Sequence, residues 1–167
     1  MKRSILVISL LVMSALAFVF ADQLQQSPKA IAEGSNVKVK YGQPSKKGRV
    51  IFGELVPFGQ VWRSGANEAT EITFSKDALV AGKDVKAGTY SLFTIPHKDK
   101  WTVILNSKLG QWGSFEYENI KANDVLKTDV NVIALKDVVE KLDYSIDSKG
   151  LTIAWDATSV FVPIAIK

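Results

Sequence analysis

Cysteine is missing from all 167 residues, and histidine occurs once, as His97. The first absence excludes disulfides, thiolate metal sites, a cysteine nucleophile and lipid attachment at an N-terminal cysteine. The second leaves any zinc site to be built almost wholly from carboxylates, so no metal is expected. Calcium fares no better, because "DSKG" and "KAND" place too few oxygens at loop spacing. The glycines are scattered at turns rather than gathered into a phosphate loop, which removes support for a nucleotide-binding βα unit. Ser64, in "WRSGA", lacks the G-x-S-x-G elbow of a serine hydrolase. No cofactor is expected, and no catalytic residue is assigned.

Charge is similarly uninformative about partners. The formal net charge is +4, and Lys2 and Arg3 supply two of those charges. The remaining lysines are spread along the chain, with no basic stripe interleaved with stacking aromatics, so nucleic acid is not an expected partner.

The one long apolar run lies at the start. In "MKRSILVISLLVMSALAFVFADQ" a basic beginning precedes the run from Ile5 to Phe20, and small residues Val19 and Ala21 precede Asp22. This is the pattern of a secretory signal, with residues 1–21 removed. No basic stop-transfer cluster follows, so no membrane attachment is expected after cleavage. The expected location is the periplasm or the medium. About 146 residues then remain, enough for one domain that removes roughly two-thirds of its unfolded surface from water.

Beyond a polar lead-in, assigned to residues 22–35, the dominant period is two. Val37, Val39 and Tyr41 share a face, as do Ile72 and Phe74, Trp101, Val103 and Leu105, Val130, Val132 and Ala134, Leu142, Tyr144 and Ile146, and Leu151, Ile153 and Trp155. In "TYSLFTI" Tyr90, Leu92 and Thr94 alternate with Ser91, Phe93 and Ile95. Such runs are half-buried strands. Turn residues separate them at "AGKD" (81–84), "HKDK" (97–100) and "DSKG" (147–150). Pro163, in "VFVPIAIK", lacks a ladder N–H and argues for an edge or a bulge. One helical turn is expected near Glu118 to Asn123. The predicted architecture is all-β, a single-domain antiparallel β-sandwich of about eight or nine strands over residues 36–167.

The blocks "QPSKKGRVIFGELVPFGQVWRSGANEATEITFS", "AGTYSLFTIP", "WTVILN" and "QWGSF" closely resemble the DUF2911 family, exported bacterial proteins frequent in Bacteroidetes and without an assigned function. The resemblance runs from about Ser27 to Ala154. It implies a periplasmic or secreted β-rich domain and supplies no catalytic residues.

Polar residues concentrate in "VWRSGANEAT", residues 61–70. One reading makes it a binding site: Arg63 takes an anion through its planar fork, Glu68 acts as base or orienting carboxylate, and Asn67 holds a carbonyl or hydroxyl. Lys46, Lys47 and Arg49 would complete an anion-binding mouth. The other makes it a turn, with a positive φ at Gly65, an Asx-type turn at Asn67, a Glu68–Arg63 pair and Trp62 in the core. Trp112, in the Gly-containing loop "LGQWGSFEYEN", is a candidate for stacking on a sugar.

The candidate ligand-binding set is therefore Arg49, Arg63, Asn67, Glu68 and Trp112. The expected function is a non-enzymatic binding module for a small molecule, glycan or partner protein. The alternative is a hydrolase or isomerase using Glu68 and Arg63, which requires a Glu68 of raised pKa in a concave site. The sequence specifies no oligomeric state.

Overall fold

The computed structural model describes residues 26–167, so the expected signal segment and cleavage site lie outside the described residues. Within them, nine strands form one antiparallel sheet. They are β1 (Lys29–Glu33), β2 (Val37–Gly42), β3 (Thr70–Phe74), β4 (Ala78–Val80), β5 (Lys83–Val85), β6 (Gly88–Pro96), β7 (Lys100–Asn106), β8 (Asp124–Ile146) and β9 (Gly150–Ile166). Their spatial order is β1-β2-β3-β6-β7-β8-β9-β4-β5. A short helix α1 (Tyr117–Ile120), continued as a 3-10 turn (Lys121–Asn123), is where a helical turn is expected. No helix among the described residues is long and apolar enough to cross a membrane.

Alternation does what the period predicts on most strands; Ala134, expected on the face of Val130 and Val132, is exposed where the β8–β9 register breaks. Val37, Val39, Tyr41, Ile72, Phe74, Trp101, Val103, Leu105, Leu142, Tyr144, Leu151, Ile153 and Trp155 are all buried in one core. That core draws residues from β2 through β9, and Ala30 and Ala32 of β1 pack against it. A single flat sheet could not gather them, because each of its faces would meet water. The sheet bends instead, along its two long strands. The β8–β9 register shifts between Ala134 and Val139 and again between Val139 and Asp143, and Asp156 of β9 takes a φ of 56°. Such bulges and left-handed residues turn a strand sharply. The second half of β8 thereby returns over β2, where Tyr144 meets Tyr41 at a ring-centroid distance of 4.5 Å. One folded sheet thus makes both layers.

The three expected hairpins are present. Ala81 (φ 47°) and Gly82 (φ 78°) form the two-residue turn between β4 and β5, the paired positive angles of a tight hairpin. His97–Lys100 and Asp147–Gly150 close the β6–β7 and β8–β9 turns through backbone hydrogen bonds of 2.9 and 3.0 Å.

Other features differ from the sequence reading. Part of the lead-in, Lys29–Glu33, is a strand at one edge of the sheet. Its inward residues are alanines, and its Ile31 faces out at 58 % exposure, so its periodicity is faint. The runs around Val130 and Tyr144 are one strand, as are "LTIAW" and "VFVPIAI". Pro163 falls between the last β8–β9 pair, Val132 with Val160, and the last β4–β9 pair, Val80 with Ile164, so its missing N–H lies outside both ladders while its carbonyl accepts from Ala81 N–H at 2.8 Å. Finally, β6 and β7 are buried on both faces. Phe93 and Ile104 point away from the main core and pack with Ala69, Tyr117 and Ile120, because α1 covers that outer face. Tyr117 is tied down by donating to Asp124 Oδ2 at 2.6 Å, and Asn106 Nδ2 donates to Asp124 Oδ1 at 2.7 Å.

Candidate functional site

The stretch 61–70 crosses one end of the sheet and is held from several sides. Trp62 and Thr94 exchange backbone hydrogen bonds of 2.7 and 2.9 Å, Thr70 N–H donates to Arg63 O at 3.1 Å, and Ala66 N–H donates to Gly42 O at 3.1 Å. Inside the turn, the Ser64 carbonyl accepts from Tyr144 Oη at 2.6 Å and from Thr70 Oγ1 at 2.9 Å. The Ser64 hydroxyl donates to Thr94 Oγ1 at 3.0 Å, and Trp62 Nε1 donates to Gly65 O at 3.1 Å. Burial and the proximity of Tyr41 hold the Tyr144 phenol well above its usual pKa, so it remains a donor.

Glycine at 65 is required for space rather than for a positive φ. A Cβ there would lie 2.8 Å from Thr70 Oγ1 and 3.1 Å from Gly42 O. The left-handed angles fall on Ser64 (φ 55°) and Asn67 (φ 63°), two non-glycine residues held in a sparsely populated region. Strain of this kind persists only where the surroundings over-determine it, as the hydrogen bonds above do.

Beside this turn lies a cleft of about 420 Å³. Its apolar wall is Pro44, Leu55, Val56 and Ala66 together with Trp62 and Trp155, whose rings stack at 6.0 Å and 18°. Its polar residues are Gln26, Ser27, Arg49, Arg63 and Asn67, and no acidic residue lines it among those described. Arg63 is half-buried, and its Nε is buried without a hydrogen-bond partner. Desolvation by burial lowers its pKa, though an arginine stays charged at neutral pH. Arg49 is more exposed and is steadied by donating from Nε to Lys46 O at 3.0 Å and from Nη2 to Ser45 O at 2.5 Å. Asn67 Nδ2 donates to Ser27 O at 2.9 Å, fastening the lead-in to the rim of the cleft rather than closing an Asx turn on its own backbone.

Three of the five candidate residues, Arg49, Arg63 and Asn67, thus meet in one cleft. Glu68 does not pair with Arg63. Its carboxylate accepts from Lys29 Nζ at 2.9 Å and lines a separate hollow with Lys29, Lys40 and Glu71. The Lys29 hydrogen bond holds the Glu68 carboxyl below its ordinary pKa, opposite to the direction a general acid would need. Lys46 also leaves the expected mouth: Nζ lies 3.0 Å from Asp156 Oδ2 and donates to Arg49 O at 2.6 Å. Lys47 is drawn toward β8, its N–H donating to Glu140 Oε1 at 2.8 Å. Trp112 is 55 % exposed and lines neither hollow, although Gly113 N–H donates to Asn67 O at 3.0 Å and Ala69 N–H to Gln111 O at 2.9 Å. His97 is half-buried at its turn. No group of three or more His, Asp or Glu among the described residues is arranged to hold a metal.

The sequence reading did not include Trp155, Leu55 and Val56 in the site. Trp155 is in phase with its strand's buried face, and nothing local marks it as also bordering a cleft.

The Glu68–Lys29 pair has a modest expected effect. Because the folded-state pKa of Glu68 is depressed, the pair stabilises the protein above the unfolded glutamate pKa of about 4.3, and that contribution is lost as pH falls through the folded value. Solvent screens this exposed pair, so Glu68→Gln should cost no more than about 1 kcal/mol at pH 7 and progressively less as the medium is acidified. Urea unfolding at pH 7 and at a series of acidic pH values reads the difference. A loss above about 2 kcal/mol at pH 7 would contradict the surface-pair description.

A model of the family described as "Protein of unknown function (DUF2911)" matches residues 23–164. Comparison with curated proteins and with solved structures produced no match.

Proposed function

The chain belongs to the DUF2911 family, and we propose that it is an exported, non-enzymatic binding module that takes a small anionic ligand in the cleft that the 44–67 segment forms with Gln26, Ser27 and Trp155. The basic start, apolar run and small-residue site of residues 1–21 support export. The observation that carries the ligand assignment is Arg63: a half-buried guanidinium whose Nε has no acceptor, in a cleft lined by no acidic residue among those described. No carboxylate among the described residues lines the cleft to neutralise this guanidinium, and an anionic ligand would do so. Arg49 at the same cleft adds positive potential, which attracts an anion. Binding also agrees better than acid–base catalysis with Glu68, which is held ionised by Lys29 in another hollow.

The test uses 1-anilinonaphthalene-8-sulfonate, an aromatic anion whose fluorescence rises in apolar surroundings. Titrated into protein beginning at Asp22, it should bind wild type ten- to a hundredfold more tightly than Arg63→Met, about 1.5–3 kcal/mol for hydrogen bonds to a charged group. Methionine keeps the apolar stem and removes the fork. Equal affinity for two folded proteins would overturn the assignment.

A further inference from the structure

We infer that two copies of this chain associate through β1, edge to edge and antiparallel, about a two-fold axis at Ile31. β1 ends the strand order, and among the described residues it pairs with β2 alone. The direction of its backbone follows from the bonds that flank it. Gln43 N–H donates to Pro28 O at 2.8 Å, and Gly34 N–H donates to Val37 O at 2.8 Å. Both continue the β1–β2 register, so the even-numbered residues of β1 bond to β2. Lys29, Ile31 and Glu33 therefore aim their N–H and C=O groups at the free edge, and all three residues are exposed. β8 also comes near β1, with Ile146 against Gly34 past the strand's end, and forms no ladder with it.

An open, regular edge without proline or bulge is a template for another strand. What selects a second copy is the order of side chains in "KAIAE". Antiparallel pairing centred on Ile31 sets Lys29 opposite Glu33 of the second copy at each end of the ribbon, and lays Ile31, 58 % exposed, against its equivalent. Opposite charges facing across strands stabilise a pair, and like charges oppose it. In this register the outward-aimed residues meet one another, so each facing pair exchanges two backbone hydrogen bonds. Parallel pairing in the same register would oppose lysine to lysine and glutamate to glutamate. Lys29 and Glu33 already hold Glu68 and Lys38, at 2.9 and 3.0 Å, so each end joins an alternating chain of charges. A five-residue ribbon is shorter than the interface of a permanent dimer, and association should be reversible, with a Kd of roughly 10–500 µM.

Sedimentation equilibrium of protein beginning at Asp22, at up to about 1 mM, reads the self-association. Ile31→Pro removes an N–H that faces the edge and none that bonds to β2, so it should fold and dimerise at least about tenfold more weakly. Lys29→Glu and Glu33→Lys each set like charges opposite one another in their own dimers and should weaken association similarly. An equimolar mixture of these two variants pairs every charge with its opposite and should recover at least the wild-type affinity. Circular dichroism verifies that each variant is folded before it is compared. Wild type that stays monomeric at about 1 mM would overturn the inference and leave the edge to a strand of another protein. A dimer that none of the three substitutions weakens would overturn it as well. Weakening by all three without recovery in the mixture would overturn the antiparallel register.

Discussion

Replacing Gly42 with alanine is expected to destabilise the protein by about 3 kcal/mol or more, an overpacking cost at the upper end of its usual range. A Cβ at this position would lie 2.1 Å from Ala66 O and 2.8 Å from Ala66 C. Both obstacles are backbone atoms, so no rotamer change relieves the clash. Nor can the strand withdraw freely: Gly42 O accepts from Ala66 N–H at 3.1 Å, and Gly42 is paired with Lys29 in the sheet. For a domain of this size the midpoint of thermal unfolding should fall by roughly 6–12 °C. A change of under about 2 °C would mean that the 61–70 turn is not seated on β2 as described. The same close approach positions Ala66 and Asn67 at the cleft, so a folded Gly42→Ala protein should also bind anilinonaphthalene sulfonate more weakly.

The second large effect is expected for Trp155→Ala, at about 3–5 kcal/mol. Trp155 is 1 % exposed, stacks on Trp62, and donates from Nε1 to Glu140 O at 3.2 Å. Truncation removes the apolar contact, opens a cavity beneath the cleft, and deprives the Glu140 carbonyl of its donor. Trp112 provides the contrast. More than half of it meets solvent, and Trp112→Ala should change stability by less than about 0.5 kcal/mol. Chemical unfolding of the two variants side by side tests the pair. Similar losses would contradict the assignment of one tryptophan to the core and the other to the surface.

The two tryptophans also illustrate what could be read in advance. Trp155 follows Leu151 and Ile153 at a spacing of two, and that alternation alone places it inward. Trp112 lies between glycines in a loop without a period, and its exposure agrees with that. Strands β4 and β5 are only three residues each, too short for alternation to be distinguished from chance. In β6 the residues of both faces are apolar, and the second buried face becomes intelligible only once α1, more than twenty residues later, is seen to cover Phe93.

The candidate site divides in the same way. That Arg63 and Asn67 fall in a turn follows from a polar, glycine-containing stretch between two apolar runs; the positive φ expected at Gly65 falls instead on Ser64 and Asn67. Their partners do not follow. A lysine is long enough to reach several acids, and the choice depends on which strand passes nearby. Lys46 meets Asp156, 110 positions away, because β9 turns at that residue. Lys29 reaches Glu68 because the lead-in forms an edge strand beside β2. Both pairings remove charges from the expected site, and together they leave Arg49 and Arg63 as its charged residues.

Side-chain alternation and turn chemistry are local properties, set by the pleat of an extended chain and by the φ angles a few residues can adopt. From them the sequence by itself determined an all-β domain, the inward faces of its main strands and the positions of three hairpins. Which strands merge, where the sheet folds over, and which charged groups neutralise one another depend on contacts between residues far apart in the chain. The tertiary structure alone decided these, because a cleft is bounded by whatever backbone the fold brings together, and no short window of sequence contains all of its walls.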